Sequence, residues 1–252
     1  RFLLATIILG VILYFNKSIY SHHLKNIWRY FVLGAIYAIY FVFMFVALKY
    51  TTTVSTAAIF TLLPLFAALL ERLFLKKSSP ALIWAALILS GMGALWIIFE
   101  GSINGLFQFR FEEGEAIFLV GTICYASYAI IQPKLFKGEN IYVTTLGVLA
   151  AGSIILAISL ILQQSSFIVD KMTFEVFWVI FYLAIFASIG SITCLNYASP
   201  RLSAPIVSAY TLLVPFWVIL NDFVFFKIAP NMNMTVGAML IAFGLLTLIY
   251  RS

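Results

Sequence analysis

Several apolar segments of this chain carry polar and aromatic side chains that share one face of a helix, and this spacing is compatible with binding a ligand. In the segment 115–136, Tyr125, Tyr128 and Gln132 follow Gly121 at intervals of four, three and four residues, so all four share one face of a helix. Phenol and amide groups exchange hydrogen bonds, and tyrosine rings offer flat apolar surfaces. This stripe therefore favours recognition of a ligand, with packing against a neighbouring helix as the alternative for the tyrosines.

Four other apolar segments carry candidate ligand-contacting residues, either at neighbouring helical positions or on a mixed polar and aromatic face. In one of them, 203–226, Ser208 and Thr211 share a face with Pro215. Serine and threonine also bond to their own helix or to a neighbouring one, and helix packing is the alternative for Tyr37 and Tyr40, so these alternatives stay open. The predicted ligand-contacting set is Tyr37, Tyr40, Phe60, Tyr125, Tyr128, Gln132, Asn196, Ser208 and Thr211.

The sequence contains no set of residues with the spacing of a catalytic or metal site. There is no HExxH, GxSxG or phosphate-binding glycine loop, and His22 and His23 have no cysteine or carboxylate at ligand spacing. Cys124 and Cys194 each lie within an apolar stretch, where cysteine acts as a small hydrophobic residue. We therefore predict no enzymatic activity, no metal and no cofactor.

The composition indicates a membrane protein. Hydrophobic residues make up 64% of the chain and charged residues 10%, with a mean hydropathy of +1.10, whereas soluble domains carry about 25% charged residues. The net charge of +6 comes from scattered single basic residues, which argues against nucleic-acid binding. We predict an all-α polytopic bundle in contact with membrane lipid, with nine apolar spans at 1–15, 28–48, 51–75, 80–99, 115–136, 141–163, 174–198, 203–226 and 232–250.

Two of these spans repeat each other. A shift of 151 positions places Pro64 on Pro215 and Glu71 on Asp222, and it also relates Lys76 to Lys227 and Gly93 to Gly244. A proline inside a helix removes a backbone hydrogen bond and bends the helix, so Pro64 and Pro215 are candidates for gating bends.

The two equivalent acids have different sequence surroundings. Glu71 adjoins Arg72, which favours a solvated interfacial cluster, whereas Asp222 has no adjacent cation. Asp222 is thus the candidate for proton coupling or a gate salt bridge, with an ordinary interfacial acid as the alternative.

The repeat predicts two halves of opposite orientation. The second half begins at Gly114-Glu115, and the counterpart of its first span would precede residue 1. We therefore expect ten helices, five in each half, with the first helix of the first half absent from this sequence. An odd number of spans per half makes the repeat an inverted one. The predicted domains are 1–100 and 114–252.

The basic residues predict which side of the membrane each loop occupies. Placing the 16–27 loop in the cytoplasm leaves five of the 15 basic residues outside, namely Arg1, Lys49, Arg110, Lys171 and Lys227. The excess on the inner side fits the positive-inside rule and predicts a cytoplasmic C-terminus.

Motifs along essentially the whole chain resemble the EamA family of the drug/metabolite transporter superfamily. They are Arg1-Phe2 with Ala5, Ala47-Leu48-Lys49-Tyr50 before the segment of Pro64, Gly91–Ala94, Gly114-Glu115 before the aromatic stretch Tyr125–Ala129, and Asn196-Tyr197-Ala198 before Pro215. Many members carry Leu-Gly-Glu after each mid-segment proline. This chain has Leu75-Lys76-Lys77 and Phe226-Lys227-Ile228 instead, so no role of that glutamate is carried over.

The resemblance implies an inner-membrane transporter that exports a small organic solute, such as an amino-acid-like or drug-like compound, by alternating access. The alternative is a membrane-embedded binding or scaffold protein without transport. The glycines of 80–99 and 232–250 predict close helix contacts, and these two helices are the candidate surface of a homodimer.

Overall fold

A computed structural model describes residues 1–16, 26–77, 79–162, 173–227 and 232–251, and these residues form helices and turns with no strand among them. The helices are α1 (Phe2–Phe15), α2 (Ile27–Ala47), α3 (Thr53–Phe60), α4 (Leu63–Leu75), α5 (Ala81–Ile98), α6 (Ile103–Phe107), α7 (Glu113–Leu135), α8 (Ile141–Leu162), α9 (Phe174–Tyr182), α10 (Ser191–Ala198), α11 (Ala204–Ala209), α12 (Val214–Phe226) and α13 (Met232–Arg251).

All nine predicted spans are helical, with ends within two residues of the predicted ones. Seven are long and apolar enough to cross a membrane, and Phe2–Phe15 and Met232–Leu248 are shorter apolar helices. The all-α polytopic fold is thereby confirmed. The short helix α6 and a π-helical stretch at Leu183–Gly190, which joins α9 to α10, were not predicted.

Both spans with a central proline are broken at equivalent places. The first is interrupted between Phe60 and Leu63, and the second passes through a 3-10 turn at Tyr210–Leu213. The prolines cannot donate to the carbonyls four residues earlier. Next to each break a threonine hydroxyl donates to a backbone carbonyl three residues back, from Thr61 to Ala58 and from Thr211 to Ser208, each at 2.7 Å.

The two broken spans also end alike. Lys76 and Lys227 both adopt left-handed backbone conformations, with φ of 52° and 56°. These positions match the glycine in the Leu-Gly-Glu pattern of the resembled family, and glycine is the residue that adopts this conformation most easily.

The chain divides into two compact units, and neither coincides with a sequence half. Unit 1 comprises 1–42 and 131–201, and unit 2 comprises 43–130 and 202–252. Each unit therefore combines repeat-equivalent helices from both halves: α1 with α8 in unit 1, and α5 with α13 in unit 2.

In unit 2, α5 and α13 pack closely through their glycines. A Cβ on Gly93 would lie 2.7 Å from the carbonyl oxygen of Gly237, and a Cβ on Gly244 would lie 2.8 Å from that of Ala86. The residue numbers of the contacting positions decrease along α13 as they increase along α5, so the two helices are antiparallel. This is the opposite orientation that an inverted repeat requires. The predicted close contacts of Gly93 and Gly244 are confirmed, whereas no described neighbouring atom lies within 4 Å of a Cβ on Gly91.

The repeat-equivalent pair in unit 1, α1 and α8, is antiparallel as well. The Phe2 ring lies against Gly152, and Leu146 lies against Gly10. The Thr6 and Ser153 hydroxyls are 3.4 Å apart. Both units thus contain helices from the two halves that run in opposite directions.

Candidate functional site

The predicted residues Gln132 and Asn196 meet in a buried polar cluster in unit 1. Gln132 Nε2 donates to the Asn196 carbonyl at 3.3 Å, and Asn196 Nδ2 donates to Thr145 Oγ1 at 3.2 Å. The Thr193 hydroxyl donates to the same Thr145 oxygen at 3.3 Å. Gln132, Thr145 and Asn196 have no exposed surface. We call these four residues the amide cluster.

Some polar atoms of unit 1 have no hydrogen-bond partner among the described residues. They include the Gln132 amide oxygen Oε1, the Thr144 hydroxyl beside the amide cluster and the Ser188 hydroxyl in the π-helical stretch. A buried polar atom without a partner costs about 1–3 kcal/mol. Such atoms call for an explanation, and a ligand or an ordered water that completes the bond is one.

Tyr37 and Tyr40 lie in a second group of unit 1, which is aromatic. The Tyr37 ring stacks on Phe2 at 5.7 Å between centroids, and Phe41 meets the edges of both tyrosine rings. The Arg1 guanidinium lies 4.7 Å from the Phe41 centroid, a cation–π contact. Both tyrosines are buried, so helix packing accounts for their contacts in this conformation.

Phe60 and Tyr125 belong to a separate aromatic group in unit 2. Their rings stack at 6.0 Å, and Phe118 lies 6.4 Å from Phe60. Phe60 and Tyr125 are half-buried, whereas Tyr128, one turn further along α7, has no exposed surface. The predicted stripe on α7 thus passes from a partly accessible aromatic end to a fully enclosed amide end.

Ser208 and Thr211 lie at the break between α11 and α12. Ser208 is buried and Thr211 is half-buried, and the bond from the Thr211 hydroxyl to the Ser208 carbonyl is the backbone-directed alternative for this residue type. Pro64 and Pro215 lie at the breaks of their spans, and their role in gating stays a prediction. Asp222 lies in α12, but its side chain is outside the part of the structure that is described.

The acid equivalent to Asp222 has an environment that the sequence did not indicate. Glu71 is only 6% exposed, and its carboxylate accepts a hydrogen bond from the backbone N–H of Ala204, the first residue of α11. The expected solvated cluster with Arg72 is therefore wrong for Glu71, because α11 covers this side of α4.

The Gly114-Glu115 motif joins the start of α7 to the start of α3. The Glu115 carboxylate accepts hydrogen bonds from the hydroxyls of Thr51 and Ser55 and, at 3.1 Å, from the Glu112 backbone N–H. A Cβ at Gly114 would lie 2.7 Å from the Thr51 Cβ, so glycine permits this approach. Glu115 itself is buried.

A buried ion pair in unit 1 was also not predicted. Arg29, near the start of α2, pairs with Glu139 in the α7–α8 connection and donates to the Leu135 carbonyl at 2.6 Å. The two charged side chains are 5% and 7% exposed. Sequence spacing gives no signal for such a pair, because its members lie in different spans.

Among the described residues, no group of three or more His, Cys, Asp or Glu side chains could hold a metal ion. His22 and His23 lie outside the described residues. Cys124 and Cys194 are free cysteines.

Unit 2 also contains an apolar crevice of about 370 Å³ between α12 and α13. It contains none of the predicted ligand-contacting residues. Its lining is Phe216, Ile219, Leu220, Phe223, Met234, Thr235, Ala238, Met239 and Ala242.

These features define a class of protein. Secondary transporters with inverted repeats share three features with this chain. They have apolar helices of spanning length, their repeat-equivalent helices run antiparallel, and their helices are broken at equivalent places. The EamA-like transporter family matches residues 1–99 and 113–250, and the chain belongs to this family. It is a multi-pass membrane transporter of the drug/metabolite transporter type.

One relative supports this assignment, and one solved structure supports the fold. An uncharacterized transporter of Bacillus subtilis (strain 168), YyaM, is 28% identical over 251 residues, which cover 98% of this chain and 81% of YyaM. The chain also resembles a protein of known crystal structure that is 15% identical in sequence. The two align over 98% of this chain and 94% of the crystallised chain, with a TM-score of 0.71. At that identity the second likeness supports the fold alone.

Proposed function

We propose that this transporter moves a small organic solute that carries hydrogen-bond donors, such as an amino-acid-like or amphipathic drug-like compound. The observation that carries the proposal is the amide cluster, a group of uncharged polar side chains enclosed in apolar helices with one amide oxygen unpartnered among the described residues. Polar groups in membrane helices face protein, water or a substrate, because exposing them to lipid is costly.

The chemistry of the predicted site suits an organic solute better than a bare ion. The amide cluster offers neutral donors and acceptors, and the group of Phe60, Phe118 and Tyr125 offers flat apolar surface. A substrate with an amine or amide group would bond to the amide cluster. A dedicated ion site would instead call for several charged or carbonyl oxygen ligands.

Alternating access is the mechanism we propose. Gln132, Tyr128 and Asn196 have no exposed surface in this conformation, so a solute reaches them only after helices move. The proline breaks at Pro64 and Pro215 supply bends at equivalent points of the two halves. We further propose export across the inner membrane with the C-terminus in the cytoplasm, on the distribution of basic residues and the family resemblance.

Replacing Gln132 with leucine tests the site. Leucine has a similar volume and removes both the amide donor and the unpartnered oxygen, so stability should be unchanged or higher. A lost hydrogen bond to substrate of about 1.4 kcal/mol would lower transport about tenfold. The measurement is counterflow in proteoliposomes, with a substrate identified by a metabolite-toxicity screen in cells with and without the gene.

Thr247→Val is the matched control, because Thr247 is only half-buried on α13 and bonds to its own helix through the Phe243 carbonyl. Full transport by Gln132→Leu would refute the assignment of the amide cluster. Solute binding without counterflow in the unaltered protein would favour the binding or scaffold alternative.

A further inference from the structure

The connection between α5 and α7 contains the short helix α6, which has an apolar and a polar side. Ile103, Leu106 and Phe107 follow the i, i+3, i+4 spacing that places side chains on one face of a helix. Asn104 and Gln108 lie on the opposite side of the same turn. α6 is therefore amphipathic.

The apolar face of α6 packs against nothing in the described part of the chain. No residue of α6 is buried. Ile103 is 58% exposed, Leu106 is 40% exposed and Phe107 is 83% exposed. A helix this short is marginal in water, because most of the stability of a short helix comes from packing its apolar face. α6 thus calls for a surface that the described residues do not supply.

Both ends of the connection are fixed, so the position of this face is fixed as well. Gly101 turns the chain after α5, with a φ of 74°. The Phe109 ring then folds back on Phe99, edge to face at 6.1 Å between centroids. At the far end the Glu112 N–H donates to the Glu115 carboxylate at 3.1 Å. The connection therefore stays beside the end of α5 and the start of α7.

This place lies at the membrane surface. α5 and α7 are both long and apolar enough to cross a membrane, and α6 begins only five residues after α5 ends. Glu100 precedes α6, Arg110 and Glu112 follow it, and the residues 101–109 between them carry no charge. The charged ends can stay in water while the uncharged stretch reaches the boundary between lipid headgroups and acyl chains.

A second protein molecule suits this face less well than lipid does. A stable protein–protein interface buries roughly 800 Å² on each partner. One helical turn with three apolar side chains offers only a small part of that area. The bilayer needs no complementary patch, and it already surrounds the two helices that α6 connects.

We propose that the connection between the two sequence halves is an interfacial membrane anchor. Ile103, Leu106 and Phe107 insert into the headgroup–acyl boundary of a phospholipid bilayer, and Asn104 and Gln108 face the water. The contact is apolar and not electrostatic, because the residues 99–112 contain two acids and one basic residue. The anchor depends on the membrane-spanning helices beside it and not on any transported solute.

The accessibility of nitroxide labels at neighbouring positions tests the anchor. In full-length protein with Cys124 and Cys194 replaced by alanine, Phe107→Cys or Gln108→Cys receives the label, and each variant is reconstituted into phosphatidylcholine vesicles. The two positions are a matched pair, because both side chains are exposed and only the face differs. Power-saturation electron paramagnetic resonance then compares relaxation by oxygen, which concentrates in the bilayer, with relaxation by a nickel chelate, which stays in water.

The label at position 107 should be relaxed more strongly by oxygen than by the nickel chelate. The label at position 108 should show the opposite order. Ile103→Cys and Asn104→Cys form a second neighbouring pair of exposed positions, and they should repeat the contrast. The alternation would then follow the period of a helix, as an amphipathic anchor requires.

Three results would overturn the proposal. Nickel access at positions 103 and 107 would show that the apolar face lies in water. Protection of these labels from both reagents would show that protein covers the face, and loss of spin–spin broadening on dilution with unlabelled protein would identify a second copy as the cover. Oxygen access at all four positions would show that α6 has no water-facing side.

No transport measurement enters this test, so the anchor and the proposed function fail separately. A protein with the expected alternation that transports nothing would uphold the anchor and refute the proposed function. Normal transport with labels in water at all four positions would do the reverse.

Discussion

Adding one methyl group at Gly93 should weaken the pairing of α5 with α13. A Cβ there would lie 2.7 Å from the Gly237 carbonyl oxygen and 2.8 Å from the Leu240 Cβ. Both atoms belong to or adjoin the facing backbone, so they can yield only if the helices separate. Overpacking of this kind costs about 1–3 kcal/mol.

Gly91→Ala is the matched control. Gly91 is two residues away on the same helix and is buried, yet no described neighbouring atom lies within 4 Å of its added Cβ. Both substitutions gain about the same helix propensity, close to 1 kcal/mol. The propensity term cancels in the comparison, so Gly93→Ala should be less stable than Gly91→Ala by the overpacking cost of about 1–3 kcal/mol.

The free energy of unfolding of both variants can be measured in mixed micelles by titration with SDS, followed by tryptophan fluorescence. Equal stability of the two variants would refute the close approach of α5 and α13. If Gly91→Ala were less stable than Gly93→Ala, Gly91 could not have open space beside it. The antiparallel register derived from these glycines would then lose its support.

Two further predictions concern charged residues. Arg29→Ala should destabilise the protein by about 3–5 kcal/mol, because it leaves Glu139 buried without its partner; an unfolding titration that shows a loss no larger than that of an exposed arginine would contradict the burial of the pair. Lys76→Gly and Lys227→Gly should each raise the unfolding free energy by about 1 kcal/mol, since both lysines occupy the left-handed region. Lys77→Gly, whose φ is not positive, should give no gain, and equal effects at all three positions would show that backbone strain is not the cause.

The helices were predictable because each is encoded by a contiguous property of the chain. Runs of about 20 apolar residues give the spans, and Pro64 and Pro215 give the breaks. The antiparallel orientation followed from an odd number of spans per half, and the register of Gly93 and Gly244 supports it.

The contacts that organise the candidate site were not predictable in the same way. Thr145 accepts from Asn196 across 51 positions of sequence, and nothing in the local pattern around Thr145 distinguishes it from Thr144. Glu71 is buried because its partner is a backbone N–H of α11, a group that every residue type except proline carries. A single sequence contains no signal for such pairings.

The division into compact units was also beyond the sequence. The repeat suggests that each half is a body of its own, yet α5 makes its most extensive packing with α13, its own equivalent from the other half. Periodicity shows which side of a helix is apolar, but not which of several apolar helices it meets.

The α5–α13 contact has the geometry of an isologous dimer interface that has been built into one chain. In such an interface the same patch serves on both partners, so a change at one position acts at both ends of the contact. Here the two copies of the patch have separate codons, and Gly93 and Gly244 can be altered one at a time. The opposite faces of the same two helices carry exposed apolar side chains, among them Ile88, Met92, Met239 and Phe243, so the close α5–α13 contact leaves these side chains free of it.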